Sequence, residues 1–177
     1  MRHLEQRIAA IEVRIKAAVA QSNTSLVRLF GVGPVLAARF LGEVGDIGRF
    51  PSKHYFAAQT GTAPLEASSG QVIRHRLSRA GDRKLNHALY MMAMVQVRRP
   101  SAGRAYYQRK LAEGKSPKEA LRCLKRRLSD AVCRCLVADH REQAGTSESP
   151  GSRRQRTPGA RPDPRLGLLV LVATASP

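Results

Sequence analysis

Tryptophan is absent, and aromatic residues make up only 5% of the chain. A buried core must therefore be aliphatic, assembled from Leu, Val, Ile, Met and Ala. Acidic residues are scarce as well: 13 Asp and Glu stand against 31 Lys and Arg, a formal net charge of +18. A compact fold with that excess repels itself unless a polyanion neutralises part of it. Nucleic acid is the polyanion that fits, because each neutralised phosphate releases a condensed counterion. No acidic cluster suits a divalent metal. Glu43, Asp46 and Glu66 are scattered through different local structures, so the chain alone does not read as a metal-dependent nuclease. Long apolar runs are missing: the longest, Leu166 to Ala173, falls well short of the roughly 20 residues that span a bilayer. Charges also interrupt every apolar run near the N-terminus, which leaves no secretory signal. Cysteine is limited to Cys123, Cys133 and Cys135, without metal-ligand spacing. At helical pitch Cys133 and Cys135 point in different directions, which favours reduced, mostly buried thiols over a zinc site.

The basic residues that are present are unevenly placed. Residues 70–142 hold 18 Lys and Arg against 6 Asp and Glu, a net +12, while the segments on either side carry +3 each. The phosphate-facing surface is therefore expected in the middle and late part of the chain. The expected fold class is mainly α, in three parts. Residues 1–22 form a coiled-coil-like helix, 23–141 a helical domain, and 142–177 a tail whose Gly, Ser, Pro, Thr and Arg composition predicts disorder. In the first part Leu4, Ile8, Ile11, Ile15 and Ala18 repeat at spacings of four and three. That seam is about two heptads long. It is either an arm that takes a partner helix, another copy included, or an ordinary amphipathic helix packed on its own domain.

In the second part, Leu26 to Phe30 read as a helix leading into Gly31-Val32-Gly33, with Pro34 in the first turn of the next helix. Gly42, Gly45 and Gly48 break the following stretch, and Ser52 caps a short helix. Residues 60–81 read as a basic loop with, at most, a short extended piece. Leu85, Ala88, Leu89, Met92, Ala93 and Val97 then mark one face of a helix ending near Pro100, and a second helix covers about Ser101 to Glu113. Ser116-Pro117-Lys118-Glu119 opens a third with a capping box. Its apolar face is Leu121, Leu124, Leu128, Val132 and Cys135/Leu136, while Lys118, Arg122, Lys125, Arg126 and Arg134 supply positive charge.

Two features point to chemistry. The Gly31–Gly33 turn fits a helix-hairpin-helix element: glycines let the backbone approach a phosphate, and amides at the following helix start can bind it. Any tight helix–helix turn can use the same residues. Ser68-Ser69-Gly70 sits on the basic loop, followed by Arg74, His75, Arg76, Arg79, Arg83 and Lys84. A serine hydroxyl becomes a useful nucleophile when a base or nearby positive charge stabilises its alkoxide. Arginines clamp the oxygens of a phosphodiester as charge builds in the transition state. Phosphoryl transfer through phosphoserine needs such a pairing, although Ser-Ser-Gly is also an ordinary flexible turn. His75 can act as base or contact phosphate, and contact is the favoured role. His87, beside Lys84, faces solvent or phosphate.

The ordered string Phe30-Gly31-Val32-Gly33-Pro34, Gly42-Glu43-Val44-Gly45-Asp46-Ile47-Gly48-Arg49-Phe50, Thr60-Gly61-Thr62-Ala63-Pro64, Ser69-Gly70 and Leu77-Ser78-Arg79-Ala80-Gly81-Asp82 resembles the C-terminal transposase domain of the DEDD-type insertion-sequence transposases. The resemblance covers roughly residues 1–140. These are bridge-RNA-guided recombinases of bacterial mobile elements, in which a RuvC-like domain with four acidic metal ligands precedes a coiled coil and a helical domain bearing a catalytic serine. The resemblance implies that Ser69, which precedes a glycine, is the nucleophile, with Ser68 its neighbour. It also implies DNA and a structured guide RNA as partners, a homo-oligomer joined through the N-terminal helix, and a covalent protein–DNA link. No cofactor is expected in this chain, since Mg²⁺ would belong to the RuvC-like domain. The location expected is the bacterial cytoplasm, at the nucleoid. Because the chain begins at the coiled coil and ends in an untuned tail, the expectation is a shortened or decayed copy, inactive alone. The alternative is a non-catalytic helix-hairpin-helix DNA-binding protein, which needs the charge and Gly31–Gly33 but not Ser69.

Overall fold

The computed structural model describes residues 2–66, 75–77 and 81–147. They form six α-helices, α1 (Arg2–Gln21), α2 (Pro34–Val44), α3 (Lys53–Gln59), α4 (Arg83–Arg98), α5 (Ala102–Ala112) and α6 (Pro117–Ser147). One antiparallel pair of three-residue strands, β1 (Pro64–Glu66) and β2 (His75–Leu77), lies between α3 and α4. The expected mainly helical fold is what forms. The extended piece anticipated within 60–81 is this hairpin, in the register Pro64 to Leu77, Leu65 to Arg76 and Glu66 to His75.

The longest helix, α6, packs on α3, α4 and α5, while α1 rests on α2 and α2 on α4. Ala120, Leu124, Leu128, Val132, Cys133 and Leu136 are buried along it at helical spacing. Against them pack Leu85, Leu89 and Met92 of α4, Phe56 of α3, Phe40 of α2, and Leu26. The core is aliphatic apart from the two phenylalanines, as the low aromatic content requires. The capping box forms: Glu119 Oε2 accepts from the Ser116 amide (3.0 Å) and hydroxyl (2.7 Å). Those bonds hold the Glu119 carboxyl below the ordinary glutamate range. Ser52 caps α3 through the His54 amide, and Ser101 caps α5 through the Arg104 amide.

Three expectations need correcting. The segment before Gly31 is not an α-helix but a single 3₁₀ turn, Ser25–Arg28. Asn23 takes φ +50° just after α1, and Thr24 and Leu29 are both extended, which leaves only Ser25–Arg28 between them for the turn. The turn is fixed from far along the chain, because Asp139 Oδ2 accepts from the Thr24 hydroxyl (2.7 Å) and the Ser25 amide (2.9 Å). Next, α2 runs through Gly42 and ends only at Gly45, whose φ is +59°. Last, α6 continues to Ser147, into the stretch expected to begin the tail.

The N-terminal helix divides in two. Its last turns rest on α2, burying Val19 and half-burying Ile15. Leu4, Ile8 and Ile11 are 59%, 49% and 50% exposed, and none of them joins the buried core among the described residues. Among the described residues no helix is long and apolar enough to cross a membrane.

Candidate functional site at the root of the hairpin

The backbone on both sides of residues 67–74 is pinned where the hairpin leaves the helices. Gly81 lies against Gly61 so closely that a Cβ at Gly81 would overlap the Gly61 backbone. The Asp82 amide donates to Gln59 O at 2.6 Å, and the amides of Thr62 and Ala63 both donate to Ala57 O (2.8 and 3.0 Å). The C-terminus of α3 and the start of α4 are thereby welded into one root, from which β1 departs and to which β2 returns.

A buried polar cluster supports that root from below. Thr60 Oγ1 lies 3.0 Å from both Thr62 Oγ1 and Ser129 Oγ. Asn86 Nδ2 donates to Thr60 O (2.8 Å) and Gly61 O (3.3 Å), and Lys125 Nζ donates to Asn86 Oδ1 at 2.6 Å. Lys125 is only 8% exposed, and no carboxylate among the described residues pairs with it. Burial pushes its pKa below the ordinary lysine value. In sequence Lys125 stands among the cations of this helix, with Lys118, Arg122, Arg126 and Arg134. Its spacing from Leu121 and Leu128, four and three residues, is the signal that it shares their inward face.

The expected phosphate ligands separate into three groups. Ser69, Arg74 and Arg79 lie outside the described residues, as does Ser68. His75 and Arg76 are placed on β2 by their backbone pairing. Gly31, Gly33, Arg83 and Lys84 are fully placed. Gly31 has φ +89°, and its Cα faces α4, where a Cβ would come 3.1 Å from Met92 O. Phe30 O is held there by Gln96 Nε2 at 2.8 Å. Close packing on α4 thus already accounts for Gly31. Gly33 has open space around its Cα and caps α2 without any side-chain acceptor, so the first amides of α2 keep no side-chain partner. Arg83 is exposed at the start of α4. Lys84 is paired with Glu43 at 2.9 Å, which raises its pKa through the hydrogen bond first and charge second. Close by, Arg39 Nη1 lies 3.3 Å from His87 Nδ1, giving α2 and α4 a shared cationic face that the sequence reading saw only from the α4 side.

Among the described residues no group of three or more His, Cys, Asp or Glu is placed to hold a metal ion. The cysteines are free. Burial raises the thiol pKa of Cys133 and Cys135, and Cys135 Sγ sits 2.8 Å from Ser25 Oγ.

Residues 23–108 match the family described as Transposase IS116/IS110/IS902 family. The chain is 36% identical over 112 residues to the insertion element IS900 uncharacterized 42 kDa protein of Mycobacterium paratuberculosis, covering 62% of this chain and 28% of that one. It is 36% identical over 129 residues to the insertion element IS110 uncharacterized 43.6 kDa protein of Streptomyces coelicolor, covering 71% and 32%. To the insertion element IS116 uncharacterized 44.8 kDa protein of Streptomyces clavuligerus it is 36% identical over 104 residues, covering 58% and 26%. Residues 23–108 therefore resemble the transposase domain of the IS110/IS116/IS902 family, and the matched part spans less than a third of each relative's length.

Proposed function

We propose that this chain is the DNA-handling part of an insertion-sequence transposase and that Ser69 is its nucleophile. In the reaction, Ser69 Oγ attacks a DNA phosphorus and gives its proton to a base. The phosphorus–oxygen bond to one DNA strand breaks, and the released oxygen takes up a proton. The bond energy is kept in a phosphoserine ester, which a second strand's hydroxyl can attack in reverse. Arg74, Arg76, Arg79 and Arg83 supply the positive charge that builds opposite the phosphoryl oxygens, with His75 as a further phosphate contact. The chain works with a RuvC-like domain, a guide RNA and a second copy joined along the open seam of α1.

The observation that carries this reading is the welded root at Gly61 and Gly81. The β1–β2 pair extends from that root, and a group that must meet a phosphorus in a well-defined geometry gains from a rigid base of this kind. The test is a denaturing gel of labelled DNA, with the RuvC-like domain and guide RNA of a relative supplied in trans. The parent chain should give a covalent adduct and Ser69→Ala none, with DNA binding retained. Ser68→Ala should keep the adduct. An adduct that survives Ser69→Ala and is lost in Ser68→Ala moves the nucleophile by one residue. No adduct with any variant leaves a DNA-binding domain without chemistry.

A further inference from the structure

The charges on α5 and α6 sort themselves into two kinds. Arg122 pairs with Glu119, Arg126 with Asp130, and Lys110 with Glu113. Arg109, Arg127, Arg134 and Arg141 have no carboxylate partner among the described residues, and all four are exposed. The last three recur every seven residues on α6. Seven residues make almost two full turns, so they form one straight row, about 21 Å from end to end at 1.5 Å per residue. At the head of the row, Tyr106 of α5 gathers three cations around its ring: Arg127 at 5.0 Å, Arg109 at 5.2 Å and Lys110 at 5.5 Å. Lys110 is neutralised by Glu113, but Arg109 and Arg127 share this half-buried ring with no carboxylate partner among the described residues, and two like charges held this close are stabilised by an incoming polyanion.

The row also lies away from the candidate site. Arg127 is two residues, about 200° of helical turn, from Lys125 and equally from Ser129, the two side chains that point into the hairpin root.

We propose that Arg109, Arg127, Arg134 and Arg141 form a second binding surface for duplex DNA backbone, on the far side of α6 from the hairpin root, so that one copy holds two duplexes at once. This rests on the reading of the chain as DNA-handling. The partner is a backbone and not a run of unpaired bases, because stacking surfaces bind single strands through open aromatic faces. Here the one aromatic ring in the row is already capped by guanidinium groups. A rigid row of about 21 Å matches the rise of roughly six base pairs of duplex at 3.4 Å each. Two duplex surfaces back to back are what a strand-exchanging protein needs to bring donor and target together.

The test compares the parent chain with a triple variant, Arg127→Gln, Arg134→Gln and Arg141→Gln, whose thermal unfolding is checked first. Both are placed in an Ile8→Asp, Ile11→Asp background so that pairing of copies through α1 cannot bridge two DNAs. The plot of log affinity against log salt for a duplex should lose about 2.7 from its slope, at roughly 0.9 per phosphate contact. A bead-tethered duplex loaded with the parent should capture a second, labelled duplex; loaded with the triple variant it should capture at least tenfold less. An unchanged slope with unchanged capture overturns the proposal while leaving the DNA-handling reading intact. Loss of binding to a folded RNA with duplex DNA binding unaltered overturns it in favour of an RNA surface. A parent chain that binds no duplex overturns both readings together.

Discussion

At Gly31 and Gly33, two glycines one residue apart carry different obligations. Gly31 sits at positive φ against the Met92 carbonyl, whereas Gly33 has ordinary φ and empty space. Gly31→Ala should therefore lower stability by about 1–3 kcal/mol, and Gly33→Ala should stay within about 1 kcal/mol of the parent; thermal or urea unfolding separates them. Lys125 makes a prediction with a sign. Its pKa is lower in the folded chain than in the unfolded one, so between those two values the unfolded chain binds more protons and stability rises with pH. Lys125→Met abolishes that slope. The melting temperature of the variant minus that of the parent should accordingly fall as pH climbs toward the ordinary lysine value of 10.5. A constant difference would show that Lys125 is not the buried charge described here.

At the level of elements, the caps are the cheapest to test. Ser101 both accepts from the Arg104 amide and donates to Gln96 O, so Ser101→Ala should cost about 1 kcal/mol. The Ser116–Glu119 box depends on an ionised carboxylate. With the Glu119 pKa lowered on folding, its contribution is full above the ordinary glutamate value and is lost as pH falls through the folded one. The difference in melting temperature between parent and Glu119→Gln should shrink over that acidic window. The open seam of α1 predicts a change of another kind: Ile8→Asp with Ile11→Asp should shift oligomeric state on sedimentation and leave the unfolding temperature nearly unmoved. A fall in that temperature with no change in mass would mean that the seam packs on its own chain.

The caps at Ser52 and Ser116 and the apolar faces of α4 and α6 are legible in the sequence because they depend on residues two to four apart. The 3₁₀ turn at Ser25–Arg28 was not, since its geometry is set by Asp139, more than a hundred positions away. The hairpin root was half legible. Residues 60–81 read as a basic loop, yet only folding shows that Gly61 and Gly81 touch. Lys125 was misread because a lysine in a basic stretch looks like its neighbours until its spacing from Leu121 and Leu128 is given precedence.

For the whole molecule, the charge sets the conditions under which it works. If about six phosphates are contacted, affinity for DNA of arbitrary sequence should drop on the order of a thousandfold from low to moderate salt. A filter-binding series across salt concentrations would expose a salt-insensitive affinity and with it a different partner. The long helix α6 has a consequence of another sort, for the order in which the chain is made. Thr24 and Asp139 are joined across 115 residues, and the inward face of α6 closes the core over α3, α4 and the turn at Ser25–Arg28. Synthesis proceeds from the N-terminus at about 5–20 residues per second. For several seconds, then, a nascent chain with its first five helices already out of the ribosome has nothing to shut against. During that interval Leu85, Leu89, Phe40 and Phe56 are open to chaperones, to other nascent chains and to nucleic acid drawn by the surrounding charge. Commitment to the native state waits on translation of α6, and a message cut short before the Leu136 codon yields a polypeptide that cannot complete its core.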